Sequence, residues 1–215
     1  VEEVLMLPAD LFDMRTAFVK ELGLEAKFDT SASILVITGS NASGKSILRR
    51  ILAGRLRTAG IEPMFLSQQG RATGGIQRAI IYGSEDDQST GCISVQTFIA
   101  AVRTMRGRET AHAVIWDEPE IGMGEELQIG TADWFLRQMG DWPEYLSGVV
   151  MLTHSRIFAA KMMTFPGAKW YNMNGYATVK DWLGRRLEKI EPEEMMEMSR
   201  EKWKRIASLL RVRGE

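Results

Sequence analysis

Apolar residues along the chain follow two rhythms. Short unbroken runs, Ile34-Leu35-Val36-Ile37, Ala113-Val114-Ile115-Trp116 and Val149-Val150-Met151-Leu152, have the length of strands buried on both faces. Between them apolar residues recur every three or four positions, as in Ile47, Leu48, Ile51, Leu52 and Leu56, the spacing of a helix with one face in a core. The same spacing predicts a helix from about Pro8 to Leu22, with Leu11, Met14, Phe18 and Leu22 on one face and Gly23 placed to end it. Further helices are expected over about Ile93 to Met105, Thr131 to Met139 and Glu191 to Val212. Met64-Phe65-Leu66 and Ala79-Ile80-Ile81-Tyr82 read as shorter strands, and Lys169 to Val179 as a hairpin turning at Asn174-Gly175. The order β, α, β, β, α, β, α, β predicts an α/β fold, a mainly parallel sheet flanked by helices, with its ligand at the carboxyl ends of the strands.

Length and composition fit one such domain. With 215 residues, 45% of them hydrophobic, the chain can bury a substantial core. We expect a nucleotide-binding core over 31–180, an N-terminal helix within 1–30 and C-terminal helices within 181–215. The formal net charge of −1 gives no global attraction to nucleic acid or membrane, so either partner would need a local patch. Cys92 is the sole cysteine, which excludes an internal disulfide framework and points to a reducing, cytoplasmic setting. Apolar runs stay far short of the ~20 residues of a membrane helix, and Glu2 and Glu3 stand where a signal peptide would carry basic residues.

The candidate chemistry begins directly after the first apolar run. Gly39-Ser40-Asn41-Ala42-Ser43-Gly44-Lys45-Ser46 is a complete GxxxxGK[ST] loop between an expected strand and an expected helix. In that setting backbone N–H groups converge on a phosphate at the helix N-terminus, with glycines at 39 and 44 allowing the close wrap. Lys45 would neutralise β- and γ-phosphate charge, and the Ser46 hydroxyl would ligate Mg²⁺. The second apolar run leads into Asp117-Glu118, where Asp117 can hold Mg²⁺ and Glu118 can reach a water attacking the γ-phosphate. We expect this strand to lie beside the one feeding the loop. The third run leads into His154, placed to contact the γ-phosphate or the attacking water.

Together these residues resemble the ABC class of P-loop ATPases, which includes transporter motor subunits, the mismatch-repair protein MutS and the Rad50 and SMC chromosome proteins. Gly39 to Ser46 matches the Walker A motif, Val114 to Glu118 the Walker B motif, and His154 the switch histidine. The resemblance covers roughly 30–180 and implies several further roles. Gln69, or Gln68 beside it, would be the Q-loop glutamine that touches Mg²⁺ and the attacking water. Gln88-Ser89-Thr90-Gly91-Cys92 is similar to the signature loop that completes a partner's ATP site, making Ser89 and Gly91 the candidates and Ser94 the alternative. The loop from Glu120 to Gly124 departs from the family's D-loop. Phe12 and Phe28 are the candidate adenine-stacking residues, with a core role the simpler reading for both. The short stretch between Gln69 and Ser89 leaves no room for a transporter's helical subdomain or for a long coiled coil. The layout is closest to MutS.

The resemblance implies a Mg²⁺-dependent ATPase that closes as an ATP-bound homodimer, or as a heteromer with a partner chain, and uses that closure as a switch. A DNA transaction ranks first among its uses. Arg49, Arg50, Arg55 and Arg57, with Arg103, Arg106 and Arg108, form a candidate nucleic-acid patch, although solvated helix faces carry the same pattern. Two rival readings are a small-molecule or nucleotide kinase, with Gly70 to Gly75 as its lid, and a regulatory or transporter-associated subunit that binds ATP with little turnover. On the C-terminal helix, Met196, Trp203, Ile206 and Leu210 share a stripe. Packing on its own domain is the simpler reading of that stripe, and a partner-docking surface the other.

Overall fold

The computed structural model describes residues 6–11, 29–41, 43–67, 89–186 and 189–211, with 205–211 by backbone alone. Five strands, β1 Ile34–Thr38, β2 Glu62–Ser67, β3 His112–Asp117, β4 Leu146–Thr153 and β5 Lys169–Asn172, form one sheet in the order β2-β3-β4-β1-β5. Every pairing is parallel. The described helices are α1 Lys45–Thr58, α2 Thr90–Arg106, α3 Glu125–Gln138, α4 Arg156–Met162, α5 Val179–Gly184 and α6 Pro192–Arg211.

Alternation along the strands sorts the core into two layers. Leu35 and Ile37 of β1, Ala113 and Ile115 of β3, and Val150 and Leu152 of β4 face α1, whose Leu48, Leu52 and Leu56 cover them. Ile34 and Val36, Val114 and Trp116, and Val149 and Met151 face the other way, onto Phe98 of α2, Phe135 of α3 and Phe158 of α4. Phe98 stacks on Trp116 at 4.3 Å between centroids and meets Phe135 and Phe158 edge-on. The central strands are therefore apolar throughout because helices cover both faces.

Three expectations change here. The acidic strand β3 is not beside β1: β4 lies between them, pairing with both. Register then sets Thr38 opposite Thr153, and Asp117 opposite Leu152, so the chain leaving β4 runs between the ends of the other two strands.

The hairpin is absent. Gly175 takes the positive φ expected of it, 81°, but no strand returns. Instead the Asn172 side chain accepts from the Asn174 and Tyr176 amides, and Thr178 caps α5 by accepting from Asp181 N. Pro8 to Leu11 form a turn rather than the start of a helix, and the rest of that predicted helix lies outside the described residues, as does the strand expected at Ala79 to Tyr82. Leu7 and Leu11 are nonetheless buried against the α1 face of the sheet. Thr30 holds this segment, with its Oγ1 accepting from Leu11 N and donating to Pro8 O.

Candidate active site

The loop from Gly39 to Gly44 leaves β1 at the point where the strand order reverses, with β5 on one side and β4 on the other. Gly44, at φ 102°, forms the N-cap of α1 without a side-chain hydrogen bond, and the first turn carries no acidic residue. The N-terminal amides and their positive dipole end are thus left for an anion. Gly39 has no room for a side chain, since a Cβ there would lie 2.6 Å from Ser43 Oγ. Asn174 braces the loop from outside: its Oδ1 accepts from Ser40 N at 2.8 Å, and its Nδ2 donates to Ser40 Oγ at 3.0 Å. Asn172 in turn donates to Thr38 Oγ1 at 2.9 Å. The two asparagines that replace the expected hairpin therefore support the loop.

Lys45 is buried and folds back on its own loop. Its Nζ donates to the carbonyls of Gly39 and Ser40, both at 3.1 Å, and lies 3.2 Å from His154 Nδ1. Burial pushes its pKa down to about 8, against the attraction of Glu118, Asp117 and Glu120. His154, leaving β4 between the other two strand ends, bridges them: Nδ1 is 2.8 Å from Gly39 O, and Nε2 is 2.6 Å from Glu118 Oε1. Nε2 faces the Glu118 carboxylate as a donor, while Nδ1 lies between an acceptor, Gly39 O, and a donor, the Lys45 ammonium. The hydrogen bond from His154 holds Glu118 below the usual carboxylate range, against the effect of its partial burial.

Glu118 is the one described non-glycine residue with positive φ, at 51°. Its amide donates to Leu152 O at 2.8 Å, which fixes the turn leaving β3. Asp117, one residue earlier, pairs with Arg49 Nη1 at 2.9 Å. Burial raises the Asp117 pKa even so, with Arg49 opposing.

Glu120 has no role in the sequence reading and is the most buried carboxylate of the site. Its Oε1 accepts from Thr153 Oγ1 at 2.5 Å, His154 N at 3.2 Å and Ser155 N at 3.3 Å, tying the ends of β3 and β4 together. Its Oε2 has no hydrogen-bond partner among the described residues, and burial raises its pKa. Arg49 was read as part of a basic patch instead. The sequence signal for its role was its position one helical turn after Lys45, on the loop end of α1.

A cavity of about 360 Å³ opens where Asn41 and Ser43 to Ser46 meet Asp117, Glu118 and His154. The sequence-predicted residues of the loop, the acidic pair and the histidine thus converge on one space. Ala42, Gln68, Gln69, Phe12 and Phe28 lie outside the described residues. Ser89 and Gly91 do not line that cavity. Ser89 is the exposed N-cap of α2, its Oγ accepting from Cys92 N at 3.3 Å, and Gly91 sits against Leu127 and Gly122. Ser94 is fully buried, its hydroxyl 2.9 Å from the carbonyls of both Thr90 and Ile121. Of the arginines proposed as a patch, Arg106 is tied to Gln138 O and Asp141, and Arg108 to Glu62 at 2.8 Å. One unforeseen wall of the cavity comes from α6 and is taken up below.

A glycine-rich loop joining β1 to α1, set in a parallel sheet with helices on both faces, defines the fold. It is that of a P-loop NTPase. No protein-family model and no curated protein matches the chain. Among solved structures the chain is similar to PCH-2 from C. elegans, with 14% identity and a TM-score of 0.38 over 79% of this chain and 40% of that one. It is similar as well to AMPPCP-bound DnaA from Aquifex aeolicus, with 11% identity and a TM-score of 0.40 over 83% of this chain and 54% of that one. The chain therefore spans 40% and 54% of the length of these two proteins. Neither similarity decides what it does. Among the described residues no helix is long and apolar enough to cross a membrane.

Proposed function

We propose that the protein is a Mg²⁺-dependent ATPase of the ABC class, whose ATP-driven dimerisation acts as a conformational switch. One observation carries this reading: Lys45, Asp117, Glu118 and His154, from three different strand ends, face a single cavity at the N-terminus of α1. Loop amides and Lys45 bind the phosphates. Lys45 exchanges the carbonyls of Gly39 and Ser40 for phosphate oxygens. Glu118 takes the proton of the attacking water once His154 turns from it to the γ-phosphate, where a ring N–H offsets developing charge. The hydrogen bond between Glu118 and His154 then describes a resting site in which the base is held by its neighbour.

The residues present fit Mg²⁺, which usually rests on one or two carboxylates or hydroxyls together with substrate phosphates. Ser46 and Asp117 line the cavity together and would hold it, and the buried Asp117 gains from a second cation beside Arg49. When bound, the ion offsets the charge of the β- and γ-phosphates. By the resemblance, Gln69, or Gln68 beside it, would be a further contact to the ion and the water.

Completion of the site in trans is supported by where the signature candidates lie. Ser89 and Gly91 lie at the start of α2, Ser89 exposed and Gly91 half-buried, and neither lines their own chain's cavity. Leu127, which meets Gly91, and Ile121, whose carbonyl meets Ser94, are exposed apolar side chains, as a surface awaiting a second subunit would present. The resemblance to MutS, Rad50 and SMC proteins makes a DNA transaction the first process to test. Phosphate release from Mg·ATP is the direct assay. Wild-type protein should hydrolyse ATP without an acceptor, and Glu118→Gln should lose about 10²–10⁴-fold, the usual contribution of a positioned base, while retaining ATP binding. Hydrolysis unchanged in that variant removes Glu118 from the mechanism. Phosphate transfer only in the presence of an acceptor points to a kinase.

A further inference from the structure

The C-terminal helix α6 passes beside the phosphate-binding loop. Met196 and Trp203, one heptad apart and 51% and 53% exposed, line the loop-side cavities together with Met195, Ser199 and Lys202. Of these five, Met195 and Lys202 are half-buried. Met195 and Ser199 approach the loop beside Asn41. Ser199, Lys202 and Trp203 form one wall of the cavity that holds Lys45 and Glu118. Lys202 Nζ donates to the carbonyl of Ser43, the residue before Gly44.

A half-buried lysine on the domain side of a helix is unusual unless what it faces is polar or charged. Lys202 is partly buried, no described carboxylate pairs with it, and burial lowers its pKa. Its charge also acts on Lys45 across the cavity and helps to depress that lysine. Lys45, Lys202 and Arg50 outnumber the carboxylates Asp117 and Glu118 around this one space, and the loop amides lie at its floor, so the lining suits a polyanion.

We propose that Lys202 is a second phosphate-binding cation, carried by α6 onto the nucleotide of its own subunit, so that α6 forms the cis wall of the ATP site. The proposal rests on the ATPase reading above and adds a residue that none of the loop, acidic or histidine motifs contains. On binding, the Lys202 ammonium leaves the Ser43 carbonyl for a phosphate oxygen close by.

Calorimetric titration of the full chain with Mg·AMPPNP tests this with four variants. Lys45→Ala reports the loop itself. Lys202→Met should weaken binding by about tenfold or more, as a hydrogen bond to a charged group predicts. Lys202→Arg should restore most of the affinity by returning the charge. Lys204→Met, the same change of charge at an exposed position two residues along, should leave affinity within about twofold. Circular dichroism confirms that each variant is folded. If Lys45→Ala abolishes binding while Lys202→Met binds like wild type, the inference fails and the ATPase reading stands. Tighter binding by Lys202→Met also overturns it, because α6 is then a cover that nucleotide must displace. If wild-type protein does not bind Mg·AMPPNP, both fall.

Discussion

At the scale of single residues the site is held in tension by its own charges. Lys45 loses its proton near pH 8 in the free protein because burial outweighs the nearby carboxylates. A bound polyphosphate keeps that proton on, since an opposite charge at close range favours the charged form. Binding should therefore take up protons as pH rises through 8, and affinity should fall above it. Calorimetry at pH 8.5 in buffers of different ionisation enthalpy measures the uptake; no uptake would place the deprotonated lysine outside the binding event. Glu118 carries a second tension in its backbone, at φ 51°. An L-residue in the left-handed region costs roughly 1 kcal/mol that glycine does not. Glu118→Gly should thus be more stable than Glu118→Gln by about that amount in urea unfolding, both lacking the carboxylate and the contact with His154. Equal stability would mean that the turn is relaxed. The residues of the loop, the acidic pair and His154 were legible in the sequence because each follows a buried apolar run. Arg49, Glu120 and Asn174 were not, since their partners lie on other strands and become neighbours only through the sheet order.

At the scale of elements, what positions this chemistry is β4. It separates the loop strand from the acidic strand and threads His154 between Gly39 and Glu118. Hydrophobic runs announced the strands and left their order open, because parallel strands buried on both faces carry no mark of which neighbour each will have. The hairpin expected at Asn174-Gly175 failed for a related reason: a positive φ at Gly175 suits a hairpin, but Asn172 and Thr178 supply local caps that start α5 instead. Gly148 of β4 tests the core directly. A Cβ there would lie 2.4 Å from Leu7 Cγ, in the segment that Thr30 anchors. Gly148→Ala should cost about 1–3 kcal/mol, as overpacked core sites do, and lower the melting temperature by roughly 2–4 °C per kcal/mol in a chain of this size. The variant paired with Leu7→Ala should recover part of the loss. An unshifted melting temperature in Gly148→Ala would show that Leu7 does not pack there.

At the scale of the whole molecule, the proposed function makes this chain one half of a composite site. Its cavity is lined by the loop, the acidic pair and the histidine, while the exposed Ser89 lies outside it, and Ile121 and Leu127 are exposed as well. The resemblance to ABC-class ATPases implies that the two halves meet across a dimer, which the motifs of one chain do not themselves establish. The decisive measurement is the molar mass in solution of Glu118→Gln with and without Mg·ATP, by size exclusion with light scattering. A monomer that becomes a dimer only with Mg·ATP, and fails to do so when Ser89→Arg blocks the start of α2, is the result predicted. A monomer in both conditions despite confirmed ATP binding would contradict the ATP-driven homodimer.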